Sequence, residues 1–330
     1  MSLTLAIGGL AMTAEAAEKF SARRIDFHAH AILPGYVDAL KSLKIDAAAE
    51  EGFTLPKWSA ETHLQFMDAA GTDFTVLSMA TPHISDKSAA REINAEFSEL
   101  CRRFPTKFGF VATLPLPKIE ESIEEFHFAT EKLGALGVKV ASNSDGVYLG
   151  DEKLDPIFAE LNKSGAIVII HPSPARLLPR EGVVTGKVMA LFEYPADTTR
   201  AVLNMLANRT LEKFPRLKVV VPHCGSFLPY MKQRAGAMFQ MLASMNLMEP
   251  VNFDESIKKL FFDTAGDPIP EQFDMLLKIA SLDQIIFGTD YPYVPAQIVL
   301  GRKKPFDAEL ARRGLTERIY VDNARTLLEA

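Results

Sequence analysis

The chain has 330 residues, 48% of them apolar and 24% charged, with a formal net charge of −6. That profile fits a folded, enzyme-sized soluble protein and excludes a fibrous or disordered one, and the acidic balance without any basic run argues against a nucleic-acid partner. Two cysteines, Cys101 and Cys224, cannot make a disulfide framework, so a reducing, cytoplasmic setting is expected by default.

Residues 3–12, "LTLAIGGLAM", form a short apolar block, followed at 14–20 by the small-residue run "AEAAEKF". Residues 1–23 therefore read either as an N-terminal arm or as the remnant of an export signal, although no Lys or Arg precedes the block. Ten apolar residues cannot cross a bilayer, so no membrane anchor is expected.

From residue 24 to 330, short apolar runs alternate with longer helical patterns. Strands are predicted at 24–30, 74–80, 107–114, 137–142, 166–172, 217–224, 259–265 and 284–290. Most read apolar on both faces, as parallel strands covered by helices do. A helix is predicted over 59–71, with Ser59 as N-cap and Gly71 as C-terminal stop. Further helices are expected at 89–104 and 154–165, with closing helices at 305–314 and 318–330. Eight βα alternations without a composition break predict one α/β unit, a closed (β/α)8 TIM barrel. A doubly wound open sheet is the alternative, but no G-x-G-x-x-G follows any strand.

Barrel active sites form at the C-terminal ends of the strands. The first strand ends in "DFHAH", where residues i and i+2 point to one side, so His28 and His30 face the same point. The fifth strand ends in His171, the sixth in His223 and the eighth in Asp290. Each of these alone has an ordinary explanation as an exposed or capping residue; four of seven histidines gathered at strand ends do not. Imidazoles and a carboxylate suit one borderline divalent cation per chain, with a position left open for water or substrate. His63 and His127 fall inside helical patterns and read as surface or packing residues, while His83 stands in the loop after the second strand. Lys139 lies within the fourth strand, either a snorkelling or salt-bridged lysine or one carbamylated between two metals. Cys224 follows His223 and is expected to face away.

The segments "DFHAH", "IIHP", "VPHCGSFLPYMKQR" and "FGTDYP" resemble the metal-dependent amidohydrolase superfamily. The similarity is to the branch of aminocarboxymuconate-semialdehyde, resorcylate and carboxyvanillate decarboxylases. It runs from about residue 24 to the end. It implies a distorted (β/α)8 barrel holding one divalent metal, usually zinc and in some members manganese. His28, His30, His171 and Asp290 are then the implied ligands, and His223 the catalytic acid/base beside the metal. Arg234 matches an arginine that binds the substrate carboxylate, in some members from a neighbouring subunit, which implies a homodimer. This chain departs from the pattern in offering only Lys57 before the first barrel helix and in carrying Cys224-Gly225 after the strand-six histidine.

Two reactions fit such a site: non-oxidative decarboxylation of a small aromatic or unsaturated acid, and hydrolysis of a lactone, ester or amide through a metal-activated water. A decarboxylase needs a cation for the substrate carboxylate and apolar walls, for which Arg234, Phe192, Tyr194, Trp58 and Tyr291 are the candidates, each aromatic being equally a core-packing residue. A metal-stabilised binding protein without turnover is the reading from another class.

Overall fold

In β1 (Ile25–Ala31) and β2 (Phe74–Met79) every residue is buried, although β1 alternates apolar residues with Asp26, His28 and His30, which therefore share one face of the strand. The computed structural model describes residues 23–175 and 188–329; the expected N-terminal arm or export remnant lies outside them. Nine further strands follow: β3 (Phe108–Phe110), β4 (Ala112–Thr113), β5 (Gly137–Ala141), β6 (Asn143–Ser144), β7 (Val147–Tyr148), β8 (Ile167–His171), β9 (Lys218–Val221), β10 (Phe261–Asp263) and β11 (Ile285–Ile286). One parallel sheet runs β1-β2-β3 and a second runs β11-β10-β9-β8-β5-β4.

Backbone hydrogen bonds join the two sheets at both seams. The predicted strand 107–114 is broken at Val111, whose N–H donates to Leu77 O (2.9 Å) while Leu136 N–H donates to Phe110 O (2.8 Å). At the other seam Phe27 N–H bonds Phe287 O (2.9 Å) and His30 N–H bonds Tyr291 O (2.8 Å). With β3 and β4 counted as one interrupted strand, the ring holds eight and forms a distorted TIM barrel. The small β6–β7 hairpin stands in the loop after β5 and turns on Asp145-Gly146, both at positive φ.

Eight longer helices alternate with the strands: α1 (Pro34–Leu43), α2 (Ala60–Ala70), α3 (Lys87–Arg103), α4 (Ile119–Glu131), α5 (Asp155–Ser164), α6 (Glu193–Ala207), α7 (Leu228–Ser244) and α8 (Ala296–Arg313). The cap signals in α2 hold: the Ser59 hydroxyl accepts Thr62 N–H, and Gly71 ends the helix at φ +67°. The last barrel strands are shorter than predicted: Leu282–Gln284 turns as a 3-10 helix before β11, and beyond it the backbone bonds irregularly to β1, with Thr289 and Asp290 N–H both donating to His28 O. The closing helix expected at 305–314 instead starts at Ala296 and runs through Pro305, which forfeits one ladder bond without ending it.

Candidate metal centre

β1 supplies the first two ligand candidates. Its pairing with β2 shifts register between Asp26 and Ala29, and His30 lies opposite Ser78. The His30 ring nitrogen Nδ1 is 2.9 Å from Ser78 Oγ. His28 Nδ1 is 2.8 Å from Asp263 Oδ2, at the end of β10. His171 closes β8, its Nδ1 3.2 Å from the Pro172 carbonyl. All three imidazoles thus have Nδ1 engaged by an outer group, which fixes each ring and leaves Nε2 for the centre.

Asp290 completes the set from the loop after β11. Its backbone takes φ +62°, a strained value for a non-glycine residue, and its N–H donates to His28 O (2.8 Å). The carboxylate oxygen Oδ1 lies 3.2 Å from His30 Nε2 and 3.5 Å from His28 Nε2. Neither of those two buried nitrogens has a hydrogen-bond partner among the described residues. One ligand atom from each of His28, His30, His171 and Asp290 fits within 4.8 Å of the others. Ligands at ordinary zinc distances stand about 3.4 Å apart around a tetrahedral ion, so the cluster needs little adjustment to close on a cation. Orphaned imidazole nitrogens facing a carboxylate are what such an ion would satisfy.

Electrostatics agree. Burial penalises the Asp290 carboxylate, yet His223, His28 and His30 around it hold its pKa well below the usual range. Burial also opposes a charged His28, but Asp263 and Asp290 on its two sides outweigh it and raise the pKa to about 10. Burial pushes His30 down to about 4 and His171 well below its ordinary value. One positive charge therefore belongs between the two carboxylates, where a bound dication would take the proton's place.

Asp263 has no counterpart among the sequence candidates. Its second oxygen, Oδ1, accepts the backbone N–H of His223 (2.9 Å) and of Ala265 (3.0 Å). His223, Cys224, Gly225 and Ser226 all have positive φ, a tight left-handed turn anchored by that carboxylate. The turn brings His223 Nε2 to 3.6 Å from Asp290 Oδ2. It also swings the buried Cys224 into the cavity lining, although the thiol is outside the ligand group. Gly288 explains how β1, β10 and β11 approach so closely, since a Cβ there would lie 2.7 Å from His28 Cβ. An acid at a strand's C-terminal end, in "FFDTA", was the available signal for Asp263.

The centre opens into a cavity of about 660 Å³, a size suited to a small ligand. His171, His223 and Asp290 line its floor, and Phe53, Leu191, Phe227 and Met275 are among its apolar walls. Of the proposed wall residues, Tyr194 lines it. Phe192 is half exposed, packed against Phe227 at 5.3 Å between ring centres. Trp58 and Tyr291 are packing residues outside the lining: Trp58 donates its indole N–H to His63 Nδ1 (2.9 Å), and Tyr291 stacks on Phe66. Arg234 stands on the exposed face of α7, outside the lining. Among the described residues, the cation that this chain gives to the lining is Arg302. His63 is buried, His127 is on the surface, and His83 faces a neighbouring groove. Lys139 is buried without an ion pair among the described residues.

Residues 25–330 match the Amidohydrolase family model Amidohydro_2. The chain belongs to the amidohydrolase family. Among relatives, it is 31% identical over 294 residues to the decarboxylase yanB of Aspergillus niger, covering 84% of this chain and 79% of that one. It is 27% identical to the 6-methylsalicylic acid decarboxylase of Penicillium expansum, over 84% and 87% of the two chains. Its fold matches the solved 5-carboxyvanillate decarboxylase of Novosphingobium aromaticivorans, crystallised with manganese and 4-hydroxy-3-methoxy-5-nitrobenzoic acid. That match has a TM-score of 0.80 at 20% identity and covers 95% of this chain and 97% of the other. The cluster of three histidines and one aspartate draws on three of the four sequence motifs, and the fourth supplies His223 beside it. No helix of the described residues is long and apolar enough to cross a membrane.

Proposed function

We infer that this amidohydrolase removes CO2, without oxidation, from a small aromatic carboxylic acid. The observation that carries the inference is the placement of His223 beside a buried cluster of three histidines and an aspartate, at the floor of an apolar cavity, in a chain whose curated relatives are named decarboxylases. His28, His30, His171 and Asp290 hold the metal, for which we propose zinc, with manganese as the alternative. A divalent ion held there would bind the substrate through its oxygens and keep a hydroxyl beside the carboxylate ionised, which makes the ring carbon easier to protonate.

The protein's own groups do the rest. The apolar walls exclude water and receive the flat ring. His223 gives a proton from Nε2 to the ring carbon that bears the carboxylate. The carbon–carbon bond then breaks, its electron pair restores the ring, CO2 departs, and His223 regains a proton from solvent. Asp263 fixes the turn that aims His223.

We further propose that the working form is a homodimer. Tyr230, Arg234, Met238 and Met241 follow one another at helical spacing on a single exposed stripe of α7. Leu191 and Tyr230 are exposed at the cavity rim. A second copy covering that stripe would hide the apolar residues and carry Arg234 towards its partner's substrate.

The test is to load the protein with zinc or manganese and measure CO2 from hydroxybenzoates and muconate-type acids. CO2 release that stops on chelation, and that His223→Ala removes while metal content stays at one per chain, is the expected result. Hydrolysis of lactones or esters with no CO2 from any acid would overturn the reading.

A further inference from the structure

The short helix Ala47–Glu51 ends by pushing a carboxylate into the cavity wall. Asp46 caps that helix by accepting from Ala48 and Ala49 N–H, and Gly52 closes it at φ +82°. Glu51 at its last turn is completely buried, yet it lines the cavity that leads to the metal centre. One oxygen, Oε2, accepts the Tyr194 hydroxyl. The other, Oε1, has no hydrogen-bond partner among the described residues, with the Thr81 side chain and the buried Lys139 charge as the further groups that act on this carboxyl. A buried polar atom left unpaired is expensive, and more so on a carboxylate. The metal cluster does not use it, since Glu51 is outside the ligand group.

Tyr293 connects this carboxylate to the metal end. Its ring stands edge-on to His30 with 5.3 Å between centres. Its hydroxyl donates to Thr81 O (2.7 Å) and accepts Thr81 N–H (3.1 Å), and Thr81 lines the cavity together with Glu51 and Tyr194. With its own donor and acceptor spent on Thr81, Tyr293 offers a ring face and little polarity. A flat acid with its carboxylate at the metal and its ring along Tyr293 would point its far edge at this corner.

We propose that Glu51 Oε1 accepts a hydrogen bond from a hydroxyl or amino group on the substrate ring, with Tyr194 as the positioning residue that holds the carboxylate. The pair makes this cavity selective for acids with a donor substituent away from the carboxylate carbon. A ring without that donor, or with it methylated, leaves the buried oxygen unpaired and adds a steric penalty. Sites built this way discriminate far more strongly than apolar pockets do. The proposal rests on the decarboxylase reading above, because it takes an acid to be bound at the metal.

The experiment uses metal-loaded protein and the four dihydroxybenzoates with one hydroxyl beside the carboxylate, each paired with the analogue methylated on the second hydroxyl. For the isomer that is turned over best, the wild type should favour the free hydroxyl by at least about 100-fold in kcat/KM. Glu51→Gln, which turns an amide donor or a weaker acceptor to the cavity, should reduce that ratio at least tenfold with metal content unchanged. Tyr194→Phe removes only the hydroxyl that holds Oε2 and should reduce it threefold or more, which keeps the test open if Glu51→Gln folds badly. Calorimetric titration of the same pairs gives the preference independently of turnover. Preferences unchanged in both variants, with both compounds of a pair weakened alike, would make Glu51 merely structural and overturn the proposal. Absence of CO2 from every acid, with the binding preference intact and lost in Glu51→Gln, would sink the decarboxylase reading and leave Glu51 standing.

Discussion

Asp263 and His28 meet through a 2.8 Å contact between Oδ2 and Nδ1, buried on both sides, while the same carboxylate holds the His223 backbone with its other oxygen. One side chain therefore orients a candidate metal ligand and the turn that carries the proposed proton donor. Gly288 permits the contact, because any Cβ there would press on both His28 and Asp263.

Asp263→Asn should weaken metal affinity by about 10–100-fold, the usual cost of losing a carboxylate behind a ligating histidine. Its amide can still accept the His223 N–H, so excess metal should restore much of the activity. Gly288→Ala should lose metal as well, but without rescue, since the strands themselves are forced apart. Chelator competition and metal analysis measure both. Wild-type affinity in Asp263→Asn would show that the contact does not support the site.

Metal removal should also lower stability, since an ion that binds only the folded chain contributes about 2.7 kcal/mol when present at a hundred times its Kd. Dipicolinate-stripped protein should melt several degrees lower, and one equivalent of zinc or manganese should restore the Tm. Magnesium should not, because imidazole donors suit it poorly. An unchanged Tm on stripping, with metal shown to be gone, would argue against a site that fits the ion.

His63 predicts a distinct acid sensitivity. It is buried, it accepts the Trp58 indole N–H, and burial lowers its pKa from 6.5 to about 3. The unfolded chain binds a proton below about 6.5 that the folded chain refuses until about 3. Its contribution is complete above pH 6.5 and is lost as the pH falls through that window, by up to about 1.4 kcal/mol per pH unit. His63→Gln keeps an acceptor for Trp58 but does not titrate. Urea unfolding of metal-loaded protein at pH 7 and pH 5 should show a smaller acid loss in the variant. Parallel losses would mean that His63 is not held neutral by the fold.

The barrel and the five candidate site residues were readable in the sequence because both depend on local rules, while the division into four ligands and one acid/base is what the family resemblance implied. Parallel strands buried on both faces leave uninterrupted apolar runs, and a polar residue ending such a run stands at the functional rim. His171, His223 and Asp290 follow that rule, whereas β1 alternates Asp26, His28 and His30 with apolar residues, so its two histidines are marked by their shared face. Asp263 follows it too, but one acid after "FF" does not stand out beside paired histidines. Glu51 breaks it: it sits on a short helix between strands, and only the tertiary fold shows that its side chain enters the cavity. Aromatic residues carry no such mark, since a cavity wall and a core both ask for apolar surface. Trp58 and Tyr291 went to packing, whereas Phe53, Phe227 and Tyr293 line the cavity unannounced. Arg234 is a different matter, because under the dimer proposal its place depends on a second chain.

The dimer proposal makes that dependence measurable. If each cavity takes His223 from its own chain and an arginine from its partner, His223→Ala and Arg234→Ala are each nearly inactive alone. A mixed dimer of the two variants has one cavity lacking both groups and one with both intact. Random exchange at equal amounts makes about half of the dimers mixed, so about one quarter of all cavities recover. Subunit exchange under mild urea, followed by dilution and a CO2 assay, should therefore bring back about a quarter of wild-type activity from two inactive samples. Activity that stays at the sum of the two variants, with mass measurement showing that the subunits did exchange, would place Arg234 outside the partner's cavity. The role of anchoring the carboxylate would then pass to Arg302, the cation already at the cavity's edge.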